Sequence, residues 1–243
     1  ILAQGDCRVH VRFDTDTDTC LCLQTPLEHV LLRPDTYVGE VDHVTEVNWV
    51  VCDDGRIRQS KVKYVPGLFK IFDEILVNAC DNKQRDSEGM TSLWVNVDEK
   101  NGLISVKNDG QVLPVAMHKK EKIYVPELVF GNLLTSSNFD DSEQRTVGGR
   151  NGFGAKLANI LSSMFRIEVN DDKYNKFYKQ TWTKNMTQMT EPQISEKQNG
   201  KSWMRVTFRP DWKFFKMQDI EPGIVQMIKK RVYDAAGTMR GGK

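Results

Sequence analysis

The stretch from Phe72 to Asn82, Phe-Asp-Glu-Ile-Leu-Val-Asn-Ala-Cys-Asp-Asn, constrains the fold more than any other in the chain. At helical spacing Leu68, Ile71, Phe72, Ile75, Leu76 and Ala79 form one apolar stripe. Glu74, Asn78 and Asp81 follow the same period, i, i+4 and i+7, on another face. The spacing therefore predicts a helix that buries one side and lines up an acid, an amide and an acid on the other. A solvated polar face is the simplest reading of such a pattern. Two later stretches argue for a ligand instead.

The first is the turn Asn108-Asp109-Gly110. Leu93, Val95 and Val97 alternate with polar residues, and a second β-like run covers 103–106. Asn101-Gly102 lies between them, a strand, turn, strand signal that places Asn108 at the end of the second strand. The second is the glycine-rich run Gly148, Gly149, Arg150, Asn151, Gly152, Phe153, Gly154, Ala155, Lys156. Its glycines allow close backbone approach and positive φ, and it leads into a helix whose free N–H groups favour phosphate. Arg150 and Lys156 add positive charge. No Gly-Lys-Ser/Thr closes the run and its third dinucleotide glycine is missing, so it is neither a P-loop nor a Rossmann fingerprint.

Elsewhere, residues 1–24 carry the polar repeat 14–19, Asp-Thr-Asp-Thr-Asp-Thr, and read as an arm or partly disordered lead-in before a domain over 25–243. Pro26 opens a helical segment that Pro34 ends. Asp53-Asp54-Gly55 joins strand-like runs at 47–52 and 61–65. Residues 123–134 read as a helix led by Pro126. Leu157, Ile160, Leu161 and Met164 read as a helix stripe behind the glycine loop. Three β-like runs follow, near 165–170, 175–183 and 202–208. A final amphipathic helix carries Ile224, Val225, Ile228 and Val232, with Gly237 as its C-cap. This irregular order favours α+β, a sheet covered on one face, over a doubly wound fold.

Across 243 residues the net charge is +1, which leaves no overall electrostatic footprint for nucleic acid. No apolar run is long enough to span a bilayer, and no membrane partner is expected. Five cysteines, Cys7, Cys20, Cys22, Cys52 and Cys80, are odd in number and irregular in spacing, and read as reduced structural thiols. The chain opens on Ile1 with no secretory signal, as a fragment or processed product would.

The pieces describe a nucleotide site. Glu74 can deprotonate a water. Asn78, one turn on, offers an amide oxygen to a Mg²⁺ held mainly by phosphates and water. Asn108 carries the acceptor and donor that an adenine edge needs. Gly110 gives the base room against backbone, and the glycine loop closes over the phosphates.

Glu74-x-x-x-Asn78, Asn108-Asp109-Gly110 and the run 149–156 resemble the N, G1 and G2 boxes of the GHKL ATPase superfamily, which unites DNA gyrase, the ninety-kilodalton heat-shock chaperone, MutL and histidine kinases. The longer stretches 27–39, 72–86, 133–140 and 146–156 resemble the ATPase region of eukaryotic type IIA DNA topoisomerases, and the likeness extends over about residues 25–237. The resemblance implies a GHKL (Bergerat) ATP-binding fold, a mixed, mostly antiparallel sheet covered by helices on one face. It implies ATP and Mg²⁺ as cofactors, homodimer closure on ATP binding, double-stranded DNA as partner of the full-length enzyme, and a location in the nucleus, with an organelle containing DNA as the alternative. It assigns Glu74 as general base, Asn78 as Mg²⁺ ligand, Asn108 as adenine reader and Asp81 as support for the base end. Ser136, Ser137 and Asn138 would meet ribose and phosphate. Gly149, Arg150, Asn151, Gly152, Phe153, Gly154, Ala155 and Lys156 would form the lid, and Thr207 would lie near the base.

Three departures accompany the likeness. Val112 stands where relatives carry a second glycine, the strap that crosses to the partner subunit is not recognisable in 1–24, and the transducer lysine of the family lies beyond Lys243. A chaperone or mismatch-repair ATPase of the same superfamily is the alternative, and the runs around Tyr37 and Ser136 argue against the chaperone. A regulatory module that binds ATP without hydrolysing it is a further alternative, against which Glu74 argues.

Overall fold

The computed structural model describes residues 24–133 and 153–239, together with the backbone of 10–11 and 21–22. In the lead-in, β1 (His10–Val11) pairs antiparallel with β2 (Leu21–Cys22), so this arm is partly a hairpin.

Thr25 caps α1 (Pro26–Leu32) through a reciprocal capping box with Glu28, and Pro34 begins the short α2 (Asp35–Val38). The hairpin β3 (Val44–Val51) and β4 (Ile57–Tyr64) turns at the expected Asp53-Asp54-Gly55. Pro66 at the first helical position then starts α3 (Pro66–Arg85), the long helix predicted from the stripe. Leu68, Ile71, Phe72, Ile75, Leu76 and Ala79 are all buried. Each large apolar side chain among them contributes about 1.5–3 kcal/mol by leaving water, and Phe72→Ala would cost about 3–5 kcal/mol.

The strands β5 (Leu93–Asp98) and β6 (Leu103–Asp109) pair across the Asn101-Gly102 turn. After α4 (Val125–Gly131) and α5 (Gly154–Ile160) come β7 (Ser162–Asp171), β8 (Lys176–Thr183), β9 (Gln188–Met189), β10 (Gln193–Glu196), β11 (Trp203–Pro210) and α6 (Pro222–Thr238). The large sheet runs β10-β8-β7-β11-β6-β5, with β9 beside β8. Every pairing among the described strands is antiparallel, so the expected mixed sheet is uniformly antiparallel here.

One face of this sheet carries the core. Ile104, Val106, Phe165, Ile167, Val169, Tyr178, Trp182, Val206 and Phe208 are buried, and α3 and α5 pack against it. Helix α6 joins α3 to the β3–β4 hairpin as a third layer, held by Arg231 to Asp73 at 2.7 Å and by His43 to Glu221 at 2.8 Å.

Two expectations are corrected. Met164 belongs to β7, because α5 ends at Ile160 and Leu161 turns the chain straight into the sheet. Gly237 lies inside α6, whose C-cap is Met239. The short β9 and β10 are exposed throughout, the apolar Met189 and Ile194 included, and left no alternation to read.

Candidate functional site

Asn78 projects from α3 and Asn108 from β6 into one small cavity, which Ile75, Ala79, Val106, Phe130, Met204 and Val206 complete. It is about 20 Å³, room for about one water. Asn108 is buried, and its Nδ2 donates to the Asp109 carbonyl at 3.0 Å. That bond leaves the amide oxygen as the group available to a ligand.

The turn after Asn108 is held from two sides. Asp109 accepts from the Thr91 hydroxyl at 2.6 Å and from the Thr91 and Ser92 amides, both at 2.8 Å. Burial pushes the Asp109 carboxyl up, but these hydrogen bonds together outweigh it and hold it below the ordinary carboxylate value. Asp86, just past α3, accepts from the Gly89 amide at 2.9 Å and the Gln111 amide at 2.7 Å. Gly110 has φ of 88°, and a β-carbon there would come within 2.7 Å of Met90 and 2.8 Å of Asp86. Its missing side chain thus makes room for Met90 and Asp86. Val112 is partly buried against the core.

Glu74 lies one turn before Asn78. Its Oε1 pairs with Lys70, one turn earlier on α3. On its other side stands Gly154, the first residue of α5: a β-carbon at 154 would overlap Glu74 Oε2 and reach 2.9 Å from its Cδ. Gly154 is absent from the glycines with positive φ, so it supplies space and not a left-handed turn, contrary to the expectation for this loop.

Behind Gly154, Ala155 and Lys156 are buried. Desolvation lowers the Lys156 ammonium from its ordinary value to about 8. Phe153 lies with its ring 6.0 Å from that of Tyr37. Asp81 is buried on α3. Ser136, Ser137, Asn138, Gly149, Arg150, Asn151 and Gly152 lie outside the described residues.

Thr207 is not brought to this cleft. It pairs with Ser105 and Arg166, on the sheet face opposite Asn108, whose own register partner is Met204. Met204 and Val206 are the β11 residues that line the cavity. Alternation carried this signal: with Val206 and Phe208 apolar and buried, residue 207 must point away. Lys70 carried a signal too, since it stands at i−4 from Glu74, yet motif reading passes over it.

An acid against a helix start, two amides facing one apolar cleft, and an antiparallel sheet backed by helices come together here. The chain belongs to the family of histidine kinase-, DNA gyrase B- and HSP90-like ATPases, whose model matches residues 64–209. Within it, the likeness is to DNA topoisomerase 2. The human DNA topoisomerase 2-alpha is 50% identical over 220 residues, 90% of this chain and 14% of that protein. The crystallised ATPase region of Saccharomyces cerevisiae topoisomerase II superposes with a TM-score of 0.88 at 45% identity, covering 90% of this chain and 58% of that one. The 43K ATPase domain of Thermus thermophilus gyrase B, at 24% identity and a TM-score of 0.64, shares the fold. The chain thus spans only a small part of the curated relative, and over half of the crystallised region.

Proposed function

We propose that residues 25–243 form the ATP-binding and hydrolysing gate domain of a type IIA DNA topoisomerase, with residues 1–24 as an arm. The observation that carries this reading is the shared cleft of Asn78 and Asn108, with Glu74 one turn away and wedged against α5.

In this reading the adenine enters between Val106, Met204 and Phe130 and gives its amino group to Asn108 Oδ1. The phosphates extend toward the start of α5 and Lys156. Glu74 takes the proton of the attacking water, with Lys70 fixing one carboxylate oxygen so that the other is presented. Among the described residues no group of three or more His, Cys, Asp or Glu could hold a metal ion. A Mg²⁺ bound mainly by phosphates and water fits, because Asn78 supplies the single amide such an ion takes from protein. When bound it would neutralise charge on the phosphates. Asp81 supports the base end, and Ser136, Ser137, Asn138 and the run 149–152 contact ribose and phosphates. ATP binding closes two copies into a homodimer that gates double-stranded DNA in the full-length nuclear enzyme.

The test is calorimetry with a non-hydrolysable ATP analogue and Mg²⁺, followed by steady-state ATPase of this chain and of a version extended through the next domain. Expected are saturable binding, slow turnover by the chain alone and faster, concentration-dependent turnover by the longer form. Absence of binding in both would refute the reading.

A further inference from the structure

The sheet face turned away from α3 and α5 carries a row of charge that the ATP site does not use. Register aligns one residue per strand across it: Trp94 on β5, Lys107 on β6, Arg205 on β11, Glu168 on β7 and Lys179 on β8. The next rows add Arg166 on β7 and Arg209 on β11. Five cations thus share the face with Glu168, with Asp109 two residues along β6 from Lys107 and, at its margin, with Asp98. Among the described residues, α3 and α5 pack on the opposite side and no helix lies on this one.

The cations are arranged against one another. Lys107 and Arg205 stand directly opposite in register, a like-charge pair that weakens a sheet. Among the described residues Arg205 forms an ion pair with Glu168 at 3.4 Å, while Asp109 and Glu168 act on Lys107 only through their charge. Lys107 instead lies over two indoles, 4.4 Å from the Trp203 centroid and 5.1 Å from that of Trp94. Desolvation, followed by the charge of Arg205, lowers its ammonium below the ordinary lysine value. An anion laid across the row would relieve this repulsion. From Lys107 to Lys179 the charged part of the row crosses three strand intervals, about 14 Å, so the partner must present negative charge over a comparable breadth.

We propose that this open sheet face binds the phosphate backbone of duplex DNA. The proposal rests on the topoisomerase reading, which makes duplex DNA the polyanion at hand. Duplex is favoured over a single strand because Lys107 already occupies the indole faces on which bases would stack. The binding is sequence-independent and weakens as salt releases counterions.

The test uses the 243-residue chain and a fluorescent 20-base-pair duplex in a low-salt titration. Lys107→Gln/Arg166→Gln/Arg209→Gln should bind at least tenfold more weakly than the parent. Its log–log salt slope should be shallower by about 0.9 for each phosphate that is no longer neutralised. Lys61→Gln/Lys63→Gln/Lys119→Gln, equal in charge but off this face, should bind like the parent. Melting and ATP-analogue affinity should be unchanged in both. If the first triple variant unfolds, Lys179→Gln/Arg209→Gln at the edge of the face is measured in its place. Equal loss in both triple variants, no duplex binding by the parent, tighter binding to single strands, or equal binding to polyglutamate would each overturn the proposal. None of these outcomes touches the Glu74 chemistry, so this surface can fail while the ATPase reading stands.

Discussion

Glu74 and Gly154 share one volume: the carboxylate oxygen Oε2 lies where a β-carbon on residue 154 would stand. The candidate base of α3 and the first residue of α5 therefore fit together only because residue 154 has no side chain. The movement of either element is felt by the other.

Gly154→Ala follows from that fit. Helix propensity alone favours alanine over glycine by about 1 kcal/mol. Pushing Glu74 off its rotamer costs about 0.5–1.5 kcal/mol. The two nearly cancel, so the melting temperature should move by no more than about 4 °C. Turnover should fall at least about tenfold, because the proposed base is displaced from its place beside the nucleotide. Paired melting and ATPase measurements check this; a large loss of stability with normal turnover would contradict it.

Glu74→Gln should bind Mg-ATP as the parent does and lose about a hundredfold or more in kcat, since the amide keeps the shape and cannot take a proton. Lys70→Met should lower kcat by a smaller factor while leaving nucleotide affinity in place, because it frees the carboxylate held on its Oε1 side. Calorimetry and single-turnover kinetics separate the two effects. Parent-like turnover in Glu74→Gln would remove Glu74 from the chemistry.

Asn108→Ala should weaken ATP binding by about 0.5–1.5 kcal/mol, the net range for one hydrogen bond. The bond from Asn108 Nδ2 to Asp109 also locks the amide, so its oxygen accepts from the adenine amino group and opposes the guanine carbonyl. The parent should thus prefer ATP to GTP, and Asn108→Ala should lose the preference as well as affinity. Competition calorimetry with both nucleotides reads this directly.

Lys156 gives a pH dependence with a definite sign. Desolvation holds its folded value near 8, below that of the unfolded chain. Between that value and the ordinary lysine range the unfolded state binds more protons, so folding stability rises with pH across this window. Phosphate beside Lys156 favours the charged form, so ATP affinity should be greatest below pH 8 and weaken as pH rises through it. Calorimetry at about half a unit above that value, in buffers of different ionisation enthalpy, should show proton uptake on binding. Lys156→Gln should show none.

Much of this protein was readable in residue order. The apolar period of α3, the alternation of β5 and β6 around Asn101-Gly102, and the proline and capping signals of α1 depend on neighbours within a few residues. So does the placing of Glu74 and Asn78 on one helix face, since a turn of helix sets their spacing without help from elsewhere. Even the wrong face given to Thr207 was correctable from its own strand, because Val206 and Phe208 leave it no other side.

What the tertiary structure alone decided lies between segments distant in the chain. β11 inserts between β6 and β7, which brings Met204 opposite Asn108 and into the cleft, an arrangement no local period encodes. Gly154 looked like a residue chosen for backbone freedom, yet its role is set by a carboxylate far earlier in the chain, on α3. Gly110 likewise answers to Met90 and Asp86. The open charged face exists only once the strands are in register, because each strand contributes a single residue to the row. Local sequence sets which way a side chain points along its own helix or strand. Packing sets what it meets, because that depends on which distant segments close the loop entropy between them and remain together.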